Sequence, residues 1–315
     1  MEQLLFSINA TAPIFFVMVI GYILRRVKMM DEPTIKILNK LNYTVTLPAL
    51  LFRDISQSDF AAVWDTKYVL FCFLVTLFTI CIIWLLAGLL FRNKALLGEF
   101  VQASYRSSAA VMGVAFIQNI YGNSGMAPLM IIGTVPLYNV AAVLILSFTG
   151  PESKGLNKAA LKKSILGILT NPIILGIFVG MLASVCRLDL PVILDKSVNN
   201  IAVLASPLAL IGLGAGFEGR KAIKLVKPTL ITTFVKLAVW PLLFLPIAIL
   251  MGFRNEMLIA LLVMLGAPTT PSCYIMARNM GHDGVLTSGA VVATTFFSSV
   301  TLTAALFILK SRGVV

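Results

Sequence analysis

The sequence predicts an all-α polytopic membrane protein of about ten transmembrane helices, arranged as two inverted five-helix repeats with helices four and nine broken. Three observations carry this. The chain is 59% hydrophobic and only 12% charged, with mean hydropathy +0.96, where a soluble domain carries about a quarter charged residues. Hydrophobic runs of ~20 residues, long enough to cross a bilayer, recur from end to end. One constant offset of 159 residues relates segments of the two halves.

The runs place spans near 8–25, 34–53, 68–91, 97–119, 126–149, 162–186, 197–217, 228–251, 256–279 and 285–310. The first, Leu4 to Leu24, is too long for a signal h-region and follows Glu2 rather than a basic segment, so it reads as a retained helix. The second and seventh are amphipathic at their starts. Cys72, Cys81, Cys186 and Cys273 form no C-x-x-C pair and imply neither a disulfide framework nor a zinc site. His282, in a short polar loop, reads as a surface histidine, and no metal or cofactor site is predicted.

Lys and Arg crowd the odd connections. Arg25, Arg26, Lys28, Lys36 and Lys40 follow the first span, Arg92 and Lys94 the third, and Lys154, Lys158, Lys162 and Lys163 the fifth. Arg220, Lys221, Lys224 and Lys227 follow the seventh, and Arg278 the ninth, while the even connections are poor. Basic loops stay cytoplasmic, so both termini are expected outside the cytoplasm of a multi-pass cell-membrane protein. The net charge of +12 is thus a topology signal, spread over short loops, and no nucleic-acid partner is expected.

Thr11, Pro13, Ile14 and Gly21 match Thr170, Pro172, Ile173 and Gly180 at the offset of 159, and Pro48 matches Pro207. The halves are therefore 1–150 and 151–315, with five helices each. An odd number inverts the second half, a pattern of many secondary transporters, whose sites lie where equivalent helices break near the midplane. The same offset maps Gly113, Val114 and Ala115 of helix four onto Ser272, Cys273 and Tyr274 of helix nine. In "GAPTTPSCYIMARN", Pro268 and Pro271 each remove an N–H donor and weaken the preceding turn. They either kink a packed helix or open it onto a cavity, and Gly113 is either the matching break or a packing contact. A half-helix N-terminus so freed would form an anion site.

With these residues in view, the chain resembles the auxin efflux carrier family, which includes plant auxin exporters and bacterial permeases assigned to malate and malonate. The resemblance spans essentially the whole chain. It rests on "NKLNYTVTLPALLF", "ASYRSSAAVMGVAFIQNIYG", "VPLYNVAAVLIL", "ASPLALIGLGAGF" and "APTTPSCYIMARNMG". It implies a crossover of helices four and nine, a scaffold of helices 1, 2, 6 and 7, and a mobile transport bundle of helices 3–5 and 8–10. Dimers are implied by the plant members. Ser108 stands where relatives often have Asn, Ala115 where they have Pro, and Cys273 where plant exporters have the crossover proline, so the break in helix nine is expected about half a turn earlier, at Pro271. These departures bear on the substrate more than on the fold.

The candidate substrate-binding residues are Asn42, Ser107, Ser108, Gly113, Val114, Ala115, Thr269, Thr270, Pro271, Ser272, Cys273 and Tyr274. Asn42 is included because a scaffold helix faces the crossover in this fold. All thirteen acids fall in loops or at helix ends, so no carboxylate marks a proton relay or sodium site. Arg106 and Lys236 lie inside spans. Each either snorkels to the cytoplasmic surface or supports the crossover, Lys236 by facing negative helix ends or holding a substrate carboxylate. Tyr138-Asn139 either braces helix five or serves the site.

The expected function is secondary transport of a small organic anion by an elevator-type motion, with proton or sodium coupling open. A sodium-coupled symporter of the bile-acid type, which shares the architecture, and a non-transporting sensor are the alternatives. A membrane enzyme using Cys273 or Ser272 is disfavoured, because neither has a base in reach.

Overall fold

Lipid supplies no hydrogen bonds to a backbone, so a spanning chain with this composition has to close its own ladders as helices. The computed structural model describes residues 2–57, 64–91, 93–109, 117, 120–121, 126–150, 169–188 and 190–315, with side chains from residue 12 onward. Among them all regular structure is helical.

Helix α1 (Glu2–Arg26) is followed by α2 (Glu32–Leu41), a π turn (Asn42–Thr46) and α3 (Leu47–Ser56), which together form one interrupted rod. Bonds from the Thr34 hydroxyl and N–H cap α2 at Asp31 and hold that carboxyl below the ordinary range. Then come α4 (Thr66–Leu90), α5 (Lys94–Tyr105) and α6 (Ala127–Thr149). The second half has α7 (Pro172–Val185), α8 (Val192–Ala202), α9 (Ala205–Ala215) and the short α10 (Gly219–Lys224). A second π turn, Val235–Val239, joins α11 (Val226–Phe234) to α12 (Trp240–Leu250). The chain ends with α13 (Asn255–Gly266), α14 (Ser272–Asn279) and α15 (Val285–Ser311).

Five stretches are long and apolar enough to cross a membrane: Thr66–Leu90, Ala127–Thr149, Val192–Ala215, Val226–Leu250 and Val285–Ser311. Pro172–Val185 and Asn255–Gly266 are shorter apolar helices. All seven fall on predicted spans; helix seven begins at Val192 rather than near 197, while Pro172–Val185 and Asn255–Gly266 cover only parts of the spans near 162–186 and 256–279.

The odd connections gather at one end of the molecule. Arg278 after α14 pairs with Glu32 before α2 (3.0 Å). The His282 ring, in the same connection as Arg278, meets Ala95 O (3.0 Å) at the start of α5 and Leu146 O (3.1 Å) near the end of α6. The even connections meet at the other end. Gln57 donates to Asp195 (2.8 Å), Lys67 to Met251 O (2.6 Å), and Asn255 N to Val314 O (3.2 Å) near the C-terminus.

Two helix pairs pack through glycine. A Cβ on Gly21 of α1 would strike the Ile211 carbonyl of α9, and one on Gly180 of α7 would come within 3.1 Å of the Phe52 backbone of α3. Small residues let membrane helices approach this closely. Gly21 and Gly180, and likewise their partners Phe52 and Ile211, stand 159 residues apart.

Candidate functional site

Both predicted breaks are interrupted helices. Helix α5 ends at Tyr105, and Arg106 is already extended (φ −69°, ψ 141°). The described part of that break is 106–108, some five residues before Gly113; Gly113, Val114 and Ala115 lie outside the described residues. Helix α13 ends at Gly266 with Ala267 extended, and α14 restarts at Ser272, so the second break is 267–271. Pro268 and Pro271 account for that length, since each lacks the N–H a continued helix would need.

The first break is held open by the second. Ser108 N donates to Pro268 O (2.9 Å), and the Ser107 hydroxyl to Val263 O (3.1 Å). The Thr269 hydroxyl donates to Ala103 O (2.8 Å), and Gln102 Nε2 to Cys273 O (3.0 Å). Each half thus satisfies backbone groups that the other exposes, which buried unwound chain requires.

Beside this meeting point lies a cavity of about 70 Å³. One wall is largely apolar, from Leu47, Leu50 and Leu51 of α3, Ile173 of α7 and Ala205 and Ala209 of α9. The other is polar, with Arg106, Ser107, Ser108, Asn139, Thr270 and Ser272. Asp54, its carboxylate on the Arg53 guanidinium (2.7 Å), also lines it.

Arg106 does not snorkel. It is only 3% exposed, with its guanidinium on neutral partners: Asn139 Oδ1 (2.8 Å), Ser272 Oγ (2.9 Å) and Met276 Sδ (2.7 Å). Its Nε is buried without a hydrogen-bond partner among the described residues. The head lies along the first turns of α14, the positive end of that helix dipole, where a cation is unfavourable and an anion favourable. Lys236, in the second π turn, is 0% exposed and donates to Leu265 O (2.5 Å) and Met264 O (3.4 Å). Its ammonium therefore faces the negative C-terminal end of α13, and snorkelling is excluded for it as well.

The remaining candidates divide. Ser107, Ser108, Thr270, Pro271 and Ser272 share the cavity. Thr269 and Cys273 are buried behind it on the bonds already described. Tyr274 is buried with its hydroxyl near Gly216, outside the cavity lining. Asn42 is buried in the first π turn, donating to Ala205 O (2.9 Å) and accepting from the Thr46 hydroxyl (2.7 Å), so it braces the lining rather than forming it.

Asn139, for which two roles were open, orients Arg106. Two groups escaped the sequence reading. Asp54 reaches the cavity from a helix end. Glu99 was grouped with helix-end acids, yet it is 3% exposed and accepts from Gly284 N (2.8 Å) and Thr287 N (3.1 Å) at the start of α15. The surface reading of His282 is also corrected: it is 3% exposed, with a carbonyl oxygen against each ring nitrogen. No group of three or more His, Cys, Asp or Glu that could hold a metal occurs among the described residues.

Comparison with known proteins places these features. The family model described as "Membrane transport protein" matches residues 6–306. A "Putative malonate transporter" of Rhizobium meliloti is 22% identical over 311 residues, covering 95% of this chain and 94% of that relative. An "Uncharacterized transporter" of Methanothermobacter thermautotrophicus is 19% identical over 304 residues, covering 94% and 96%. The chain belongs to the membrane transport protein family of the auxin efflux carriers.

Proposed function

We propose that this protein is a secondary carrier for a small carboxylate, which binds in the cavity beside the two broken helices. The observation that carries the reading is the buried Arg106 guanidinium. Among the described residues one of its nitrogens has no partner and its partners are neutral, and it lies at the positive end of α14. Guanidinium and helix N-terminus both await an anion, and the planar fork of an Arg suits a carboxylate. Ser108, Thr270 and Ser272 supply hydroxyls beside it, and the opposite wall would receive a short apolar skeleton. The cavity is too small for a bulky amphiphile, and malonate, named for one relative, is of the right kind.

The division into repeats 1–150 and 151–315 is supported by the mirrored contacts of Gly21 and Gly180 and by equal lengths of equivalent elements, such as α5 and α13 with 12 residues each. In this reading α1, α3, α7 and α9 belong to the scaffold and the broken helices to a bundle that slides against it. The cavity lies along that seam, as an elevator-type carrier requires. The basic odd connections would face the cytoplasm, with both termini outside.

Flux into proteoliposomes tests the proposal. Labelled malonate should enter saturably and be displaced by other small carboxylates, and imposed sodium and pH gradients reveal the coupling. Absence of flux for every small carboxylate, with protein that remains folded, would reject it.

A further inference from the structure

A second cavity, of about 1040 Å³, shares no lining residue with the first. It opens between the end of α1, the segment after α9, and Val292 of α15. We infer that it is a binding site for an anionic phospholipid at the basic face of the protein.

The charge pattern is the first reason. Arg25, Arg26, Lys28 and Arg220 line the cavity against two carboxylates, Glu32 and Glu218. Both carboxylates are engaged: Glu32 with Arg25 (3.4 Å) and Arg278 (3.0 Å), Glu218 with Lys221 (2.8 Å). Arg26 is held by a neutral group, the Tyr22 hydroxyl (2.9 Å), and Arg25 Nη1 is buried without a hydrogen-bond partner among the described residues. Positive charge therefore exceeds what the protein itself neutralises here.

The shape is the second reason. Phe15, Met18 and Val19 supply apolar lining to the cavity, on the same helix that exposes Phe16, Ile20 and Ile23. Tyr22, with an apolar ring and a polar tip, stands between that surface and the basic rim, as aromatic residues do at a membrane interface. An apolar wall leading to a phosphate-sized cluster of cations fits a lipid with acyl chains and an anionic head, and basic pockets between membrane helices take such heads. A small carboxylate would leave most of this volume empty.

Native mass spectrometry of the purified full-length protein, exchanged into micelles of equal phosphatidylglycerol and phosphatidylcholine, provides the test. The parent chain should retain phosphatidylglycerol selectively. Arg26→Gln, Lys28→Gln and Arg220→Gln together should reduce that selectivity, by about fivefold for each basic residue removed. These three side chains are exposed, so the fold should survive. Arg187→Gln with Lys196→Gln, exposed on the opposite face, should leave selectivity unchanged. The site is overturned if the triple variant keeps the parent's selectivity or the control pair loses it equally. It is also overturned if inorganic phosphate at matched ionic strength stabilises the protein as well as phosphatidylglycerol does, or if a second copy of the chain occupies the face and no lipid is retained.

Discussion

Helices α5 and α13 have the same length, and both stop at the crossing, yet their C-terminal ends are finished differently. The carbonyls of Ala103 and Ser104 at the end of α5 accept from the Thr269 hydroxyl (2.8 Å) and the Trp240 indole (2.9 Å), both neutral. The carbonyls of Met264 and Leu265 at the end of α13 accept from the Lys236 ammonium. Every helix leaves its last carbonyls without intrahelical partners, so both halves had to solve one problem. The neutral solution leaves α5 its own cation, Arg106, for the cavity. The charged solution uses its cation on the backbone, where a positive group also offsets the helix dipole. Two similar halves thus yield one binding cation and one structural cation.

Breaking the charged end should have the largest effect. Lys236→Met keeps the apolar stem but takes the ammonium donor from Leu265 O and leaves Met264 O only the long bond from the Tyr138 hydroxyl (3.5 Å), where a buried group left unsatisfied costs about 1–3 kcal/mol. Transport by the purified protein should fall on the order of a hundredfold, and its melting midpoint should drop. Lys236→Arg should keep part of both, because the charge persists while the compact ammonium does not. Unchanged flux and melting in Lys236→Met would show that the bond to α13 is dispensable.

The neutral end should be more tolerant. Trp240→Phe removes one neutral donor from Ser104 O, and Thr269→Val removes one from Ala103 O, each at a cost of about 1–3 kcal/mol. Either variant should retain more transport than Lys236→Met under the same assay. If Trp240→Phe proved as damaging as Lys236→Met, charge would not be what separates the two ends.

Most of this fold was legible because apolar length is a coarse signal that tertiary structure rarely overrides. The break in helix nine was legible too, since Pro268 and Pro271 act on their own backbone. The described part of the break in helix four, 106–108, was not legible because nothing local causes it. Arg106, Ser107 and Ser108 leave the helix in partnership with Val263 and Pro268, some 160 residues away. His282 and Glu99 were misread for a similar reason. A polar residue beside a glycine-rich loop looks solvated until the fold brings the ends of α5, α6 and α15 around it. For Arg106 and Lys236 the sequence left two roles open, and burial decided against snorkelling in both.

The central claim is that Arg106 is the cation that receives the substrate carboxylate. Calorimetric titration of malonate into the purified parent chain, Arg106→Gln and Arg106→Lys tests it most directly. Saturable binding in the parent, loss of at least about tenfold in affinity in Arg106→Gln, as expected for a lost charge-assisted bond, and partial recovery in Arg106→Lys are the predicted results. Equal affinity in the parent and a folded Arg106→Gln would contradict the account.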